Sequence, residues 1–178
     1  MNEKIMRVGI LGCGRVCDHY IDKILGKKSL DSLFKVIACC DVDIDKSNRV
    51  AKLLDCKSFQ DINKFLKIKD MDMVLVLTKS GQHYDHAKIC IENNLNVLVE
   101  KPLALRVEHA EELLKLSKAR NKFCCSVFQN RLNPAVTVTR QAFQNNRFGK
   151  LVSVSVRLRW CRLQDYYDDG WHGTWSQD

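Results

Sequence analysis

The sequence predicts an α/β fold: a doubly wound parallel sheet that gives way near residue 126 to the start of an incomplete α+β domain with an antiparallel sheet. Three patterns carry this expectation. Apolar runs without polar alternation recur between segments of helical spacing, as in parallel strands covered on both faces. A glycine-rich turn follows the first run. Over residues 151–160 the period changes to strict alternation, the mark of a half-exposed antiparallel strand.

Each element follows from local composition. Ile5 to Leu11 reads as the first strand, and Arg15 to Leu25 as a helix with Val16, Tyr20, Ile21, Ile24 and Leu25 on one side. Phe34 to Cys40 is a second buried strand, after which Asp43 or Asp45 caps a helix carrying Val50, Leu53 and Leu54. Lys57 to Phe59 is an edge segment and Asp61 to Leu66 a short helical piece. Met73 to Thr78 is the next strand, followed by a helix from Gln82 to Glu92 that stops at Asn93-Asn94. Asn96 to Val99, a helix from Val107 to Arg120, and Phe123 to Phe128 complete the sheet.

Pro134, placed after Asn133, starts a further helix reaching Asn145, and Arg147 to Lys150 is a turn. Leu151 to Trp160 then alternates, and residues 165–178 are aromatic, acidic and glycine-punctuated without any period. One long alternating strand is not stable alone in water, so either the chain is cut within its second domain or a partner supplies strands. The expected division is a dinucleotide-binding domain over residues 1–126 and the first part of a second domain over 127–178.

Composition narrows the function classes. With 46% hydrophobic and 28% charged residues, the chain has an ordinary globular balance, which excludes intrinsic disorder. No apolar stretch approaches the ~20 residues needed to cross a bilayer, and the first residues lack a signal-peptide core, so a cytoplasmic protein is expected. The nine cysteines contain no CxxC pair, and Cys39, Cys40, Cys124 and Cys125 lie in apolar runs, where cysteine acts as a small hydrophobe. Reduced thiols and no metal site follow. The net charge of +8 is spread over scattered lysines without a basic–aromatic stripe, which favours a small anionic ligand over nucleic acid.

The chemistry concentrates at strand ends. Gly12-Cys13-Gly14-Arg15-Val16-Cys17 opens the first helix: Gly12 permits the tight turn, and Gly14 allows a pyrophosphate to approach the helix N-terminus. Cys17 stands where the GxGxxG fingerprint has its third glycine and is small enough for close helix–strand packing. In this strand–turn–helix setting the motif indicates a Rossmann-type sheet. Asp41 ends the second strand, where an acidic side chain binds an adenosine ribose and repels a 2′-phosphate, favouring NAD over NADP. Its alternative duty is capping the next helix, for which Asp43 suffices.

Thr78 to His83 follows the fourth long strand, and its hydroxyls, including Ser80, make a second wall for the cofactor. His83 is either near the nicotinamide ribose or a solvated first-turn histidine. Glu100-Lys101-Pro102 ends the Asn96–Val99 strand. A lysine fixed there has two readings, a strand-end salt bridge or a proton-transferring group.

Together with Gln129-Asn130-Arg131-Leu132-Asn133-Pro134-Ala135, these motifs resemble the Gfo/Idh/MocA family of nicotinamide-dependent sugar oxidoreductases, over nearly the whole chain. Glu-Lys-Pro in this register is the most specific part. The Gln129–Ala135 block and Trp171-His172-Gly173-Thr174-Trp175 are similar to the nucleotide-sugar branch, which oxidises C3 of a UDP-N-acetylhexosaminuronate for lipopolysaccharide and related cell-surface polysaccharides. The resemblance implies that Lys101 acts as acid–base on the sugar hydroxyl and that Glu100 holds the nicotinamide ribose. It also implies that Gln129 contacts cofactor, that Asn130 and Arg131 contact the sugar nucleotide, and that the second-domain sheet forms a homo-oligomer.

In the family a helix after a glycine-rich turn carries a His-x-x-Asp motif, a point this sequence ends before, and His172 does not stand in its place. The alternative is therefore a catalytically inactive dinucleotide-binding protein.

Overall fold

The structure is a computed structural model that describes residues 5–178. It divides into two compact units, one running to Val127 and taking in Gly173–Asp178, the other Phe128–His172. The last six residues thus group with the sheet unit.

The first unit is a six-stranded, wholly parallel sheet in the order β3-β2-β1-β4-β5-β6. Its strands are β1 (Met6–Leu11), β2 (Phe34–Cys40), β3 (Lys57–Phe59), β4 (Met73–Val76), β5 (Asn96–Val99) and β6 (Cys124–Ser126). The helices are α1 (Arg15–Tyr20), α2 (Ile44–Leu54), α3 (Ile62–Leu66), α4 (His83–Glu92) and α5 (Val107–Ala119). The unalternated strands sort by the period of two: Val74 and Val76 join one apolar cluster, Leu75 and Leu77 the other. Phe65, Ile91 and Leu113 complete the first cluster, and Ile10, Val50 and Cys17 the second. Both faces of the sheet are thus covered by helices, and alternation is not needed.

The cysteines behave as small apolar residues. All nine are free, and Cys13, Cys17, Cys39, Cys40 and Cys90 are buried. Burial pushes the Cys40 and Cys90 thiols up to about 12, so both stay neutral.

The first helix departs from its sequence pattern. After Tyr20 it widens into a π-helical turn, Ile21–Leu25, in which the Gly26 N–H donates to the Ile21 carbonyl at 2.9 Å. Val16 and, within the wider turn, Ile24 are exposed, while Cys17 and Leu25 are buried. Asp43, rather than Asp45, caps α2, accepting from the Asp45 and Lys46 amides at 3.1 and 3.4 Å.

The second unit is lightly built. Residues 129–132 form a 3₁₀ turn, and Asn133 caps α6 (Pro134–Gln144), accepting from the Ala135 amide at 3.0 Å. No residue of α6 is buried. The expected antiparallel strand at 151–160 does not form a ladder: among the described residues no strand pairs with it, and all ten residues are exposed. The reason is the one that made the expectation conditional, since alternation supplies a face but not the neighbouring backbone that a strand requires.

Candidate active site

Strand order reverses between β1 and β4, and the crevice at such a switch point is where doubly wound sheets bind ligands. The loops leaving these strands meet there. Gly12 has φ +98°, and a Cβ on it would lie 2.7 Å from the Leu77 carbonyl carbon and oxygen and 2.8 Å from the Thr78 nitrogen. Only glycine satisfies both constraints. Its own N–H donates to the Cys40 carbonyl at 2.9 Å, tying the loop to β2 as well. At Gly14 the situation is the opposite, because a Cβ would meet nothing within 4 Å and the backbone faces open space.

Cys13, between the two glycines, is fixed at both of its backbone groups. Its N–H donates to Asp41 Oδ2 at 2.7 Å, and its carbonyl accepts from Arg49 Nη2 at 3.2 Å. The other Asp41 oxygen takes the Asp43 N–H at 2.9 Å. Asp41 therefore braces the glycine loop while leaving lone pairs for a further donor, since a carboxylate offers about four. Arg49, on α2, also pairs with Asp18 of α1 at 2.6 Å. Sequence reading missed this arginine, whose function depends on α2 packing beside α1 rather than on any motif.

On the opposite wall, Thr78 Oγ1 lies 2.9 Å from His86 Nδ1, and Ser80 is buried. Burial lowers His86 below its ordinary value, so it is the neutral imidazole that meets the hydroxyl. His83 is not the solvated first-turn histidine that one reading of its position suggests. It is buried, with Nδ1 2.6 Å from the Pro102 carbonyl and Nε2 2.9 Å from the Thr78 carbonyl. Both ring nitrogens face backbone, so His83 shapes the site by joining the β4 and β5 loops. Gly81 is pinned from another direction: its N–H donates to the Gln177 carbonyl at 3.0 Å, and a Cβ there would strike the Ser176 carbonyl oxygen.

At the end of β5, Glu100 is half-buried and Lys101 exposed, followed by a cis Lys101–Pro102 peptide. Glu100 Oε1 accepts from the Tyr20 hydroxyl at 2.7 Å, and Oε2 from the backbone N–H of Lys101 at 2.9 Å. Among the described residues no carboxylate pairs with Lys101 Nζ, so the salt-bridge reading of this dipeptide does not hold.

Parallel strands bring Gly12, Gly14, Asp41, Thr78, Ser80, Glu100 and Lys101 to one edge of the sheet, with Arg15 and Val16 exposed at the start of α1. Gln129, Asn130 and Arg131 belong to the exposed 3₁₀ turn of the second unit. Among the described residues no cluster of three or more metal-ligating side chains occurs, and no helix is long and apolar enough to cross a membrane.

Comparison with known proteins agrees with this geometry. The WlbA dehydrogenase of Chromobacterium violaceum, solved in complex with NADH and UDP-GlcNAcA, superposes with a TM-score of 0.93 at 30% identity, covering 100% of this chain and 51% of that one. A UDP-N-acetylglucosamine 3-dehydrogenase of Acidithiobacillus ferrooxidans is 26% identical over 77% of this chain and 41% of the relative. A galactose/lactose metabolism regulatory protein, GAL80 of Kluyveromyces lactis, is 28% identical over 74% of this chain and 31% of the relative. The chain thus spans about half the length of these relatives or less. The description "Oxidoreductase family, NAD-binding Rossmann fold" (GFO_IDH_MocA) matches residues 6–128, most of the sheet unit. On that match the chain belongs to the Gfo/Idh/MocA oxidoreductase family and carries its NAD-binding Rossmann fold.

Proposed function

We propose that the chain is the cofactor-binding portion of an NAD-dependent dehydrogenase of nucleotide sugars, with Lys101 as its acid–base group. The observation that carries this reading is an exposed lysine without a carboxylate partner among the described residues, on the same sheet edge as the glycine loop. The residues present fit a dinucleotide. Open space at Gly14 admits a diphosphate, the amides of Arg15 and Val16 are in the first turn of α1, and Asp41 retains acceptor capacity for a ribose diol. The negative charge of Asp41 favours NAD over NADP.

NAD, when bound, supplies the hydride acceptor. Thr78 and Ser80 form one wall of its site, and Glu100 accepts from the nicotinamide ribose. The Lys101 ammonium hydrogen-bonds the reacting secondary hydroxyl and, when neutral, takes its proton at Nζ. Gln129, Asn130 and Arg131 offer amide groups and a guanidinium fork of the kind that suits a uronate or a diphosphate. The UDP-GlcNAcA held by the Chromobacterium violaceum protein makes a UDP-N-acetylhexosaminuronate the first substrate to test, with C3 as the oxidised carbon. Such a sugar belongs to cell-surface polysaccharide synthesis in the cytoplasm, and the exposed apolar face at 151–160 suits a homo-oligomer.

The test is NADH formation from NAD and UDP-GlcNAcA, with Lys101→Ala as control. The variant should keep NAD affinity and lose turnover, and turnover that survives it would remove Lys101 from the reaction. A second reading, dinucleotide binding without turnover, is favoured by the regulatory relative from Kluyveromyces lactis. It is the better reading if NAD binds tightly and no nucleotide sugar is oxidised.

A further inference from the structure

Asp22-Lys23 and Glu100-Lys101 each set an acidic residue directly before an exposed lysine, and they behave differently. Asp22 and Lys23 pair with each other at 2.7 Å. Glu100 and Lys101 do not, although Glu100 has the longer side chain and the same neighbour. The difference lies in what else holds the carboxylate. Asp22 accepts from Lys23, whereas each Glu100 oxygen already accepts one hydrogen bond that holds it in place, Oε1 from the Tyr20 hydroxyl and Oε2 from the Lys101 backbone amide. Tyr20 is the last residue of α1, so this bond joins the helix after the glycine loop to the end of β5, two places along the sheet.

We propose that Tyr20 is a positioning residue: by holding Glu100 turned back onto the chain, its hydroxyl keeps that carboxylate off Lys101 Nζ and leaves the ammonium available to a substrate hydroxyl. The catalytic consequence rests on the reading of Lys101 given above, but the positioning itself does not. Tyr20 suits the task because its ring is half-buried and comes from a separate element, so the donor is fixed relative to the sheet. Burial, and then the hydrogen bond to Glu100, hold the phenol above its ordinary value, and it remains a donor across the neutral range. An unrestrained Glu100 would find in Lys101 the same kind of partner that Asp22 finds in Lys23.

The experiment uses the full chain with Tyr20→Phe, Glu100→Gln and the double variant. Each is treated briefly with an N-hydroxysuccinimide acetyl ester, and acetylation of Lys101 is measured by peptide mass spectrometry relative to Lys23. Tyr20→Phe keeps the ring and removes only the hydroxyl, so Lys101 should be acetylated about two- to fivefold more slowly, the range that an exposed ion pair supports. Adding Glu100→Gln should restore the wild-type rate, because the neutral amide cannot pair. An unchanged rate in Tyr20→Phe, or slowing that persists in the double variant, overturns the proposal.

Turnover then separates the two levels. Tyr20→Phe should lower kcat with little change in the KM for NAD, and Tyr20→Phe in the Glu100→Gln background should lower kcat no further. If acetylation follows the expected pattern while kcat is unaffected, Tyr20 still positions Glu100 and it is the acid–base reading of Lys101 that fails.

Discussion

The two units of this chain contain similar apolar residues and use them in opposite ways. In the sheet unit, Val74, Val76, Val97 and Val99 are fully buried, each strand being covered on both faces by helices of the same unit. In the second unit, Val152 and Val156 are 88% and 86% exposed, and Leu158 is 78% exposed. The same residue type is core in one place and surface in the other because a β-branched side chain specifies only a preference for a pleated, covered position. What converts the preference into stability is a partner, and for residues 151–160 no partner strand occurs among the described residues. Within the sheet unit the candidate ligand loops are braced by backbone contacts, as at Gly12 and Cys13.

The largest effect should come from the point where two ligand loops touch. Gly12→Val places a branched side chain at φ +98° and into the Leu77–Thr78 backbone. Backbone strain alone costs about 1–3 kcal/mol, and overlap with main-chain atoms that have no room to move adds to it. Urea unfolding should show a strongly destabilised sheet unit, and NAD titration should show no binding. Normal affinity would mean that the loop contact is not what shapes the site.

Next is a direct comparison of the two units. Phe65 is fully buried, and its ring lies 2.6 Å from where a Cβ on Gly9 would be, so it packs directly against the β1 backbone. Phe65→Ala should cost about 3–5 kcal/mol. Leu158→Ala, at an exposed position, should change stability by no more than about 0.5 kcal/mol. A comparable loss at Leu158 in the full chain would show that its face is covered in solution, and sedimentation of the same samples would tell whether a second copy covers it.

Asp41→Ala is expected to act at the ligand. It removes the acceptor of the Cys13 amide and of the Asp43 amide as well as the proposed ribose contact. A lost hydrogen bond to a charged acceptor is worth about 1.5–3 kcal/mol, or roughly 10- to 150-fold in affinity for NAD. The advantage of NAD over NADP should narrow at the same time. Weaker binding of both cofactors by an equal factor would leave Asp41 with its bracing role and take away the ribose role.

Most of the sheet unit is legible in the sequence because its signals are local. Apolar runs, the Gly12–Gly14 turn and capping residues such as Asp43 each declare themselves within a few positions. Strand ends shortened by one or two residues, as at Val76 and Ser126, and the π-helical turn at Ile21–Leu25 interrupts the helical period that the sequence pattern assumes. What the sequence concealed is contact between distant segments. Arg49 on the Cys13 carbonyl, Tyr20 on Glu100, and Gln177 on Gly81 join residues far apart in the chain, and no spacing rule announces them. The burial of His83 was hidden for the same reason, since its two carbonyl partners lie five and nineteen residues away on different loops.

The smallest expected effect concerns pH, and it again separates the units. His86 packs behind Thr78 in the sheet unit, with a folded-state value depressed by burial below the ordinary 6.5. The unfolded chain therefore binds a proton more readily than the folded one. Stability from this histidine is complete above about pH 6.5 and declines as pH falls through that value toward the depressed one. Asp85 opposes the shift through its charge, while His83, close by on the same helix, adds to it. Thermal melts of the wild type should thus fall between pH 7.5 and 5.5, and His86→Gln should flatten that part of the profile without altering the melting of residues 128–172. An equally steep profile in the variant would assign the pH dependence to another group.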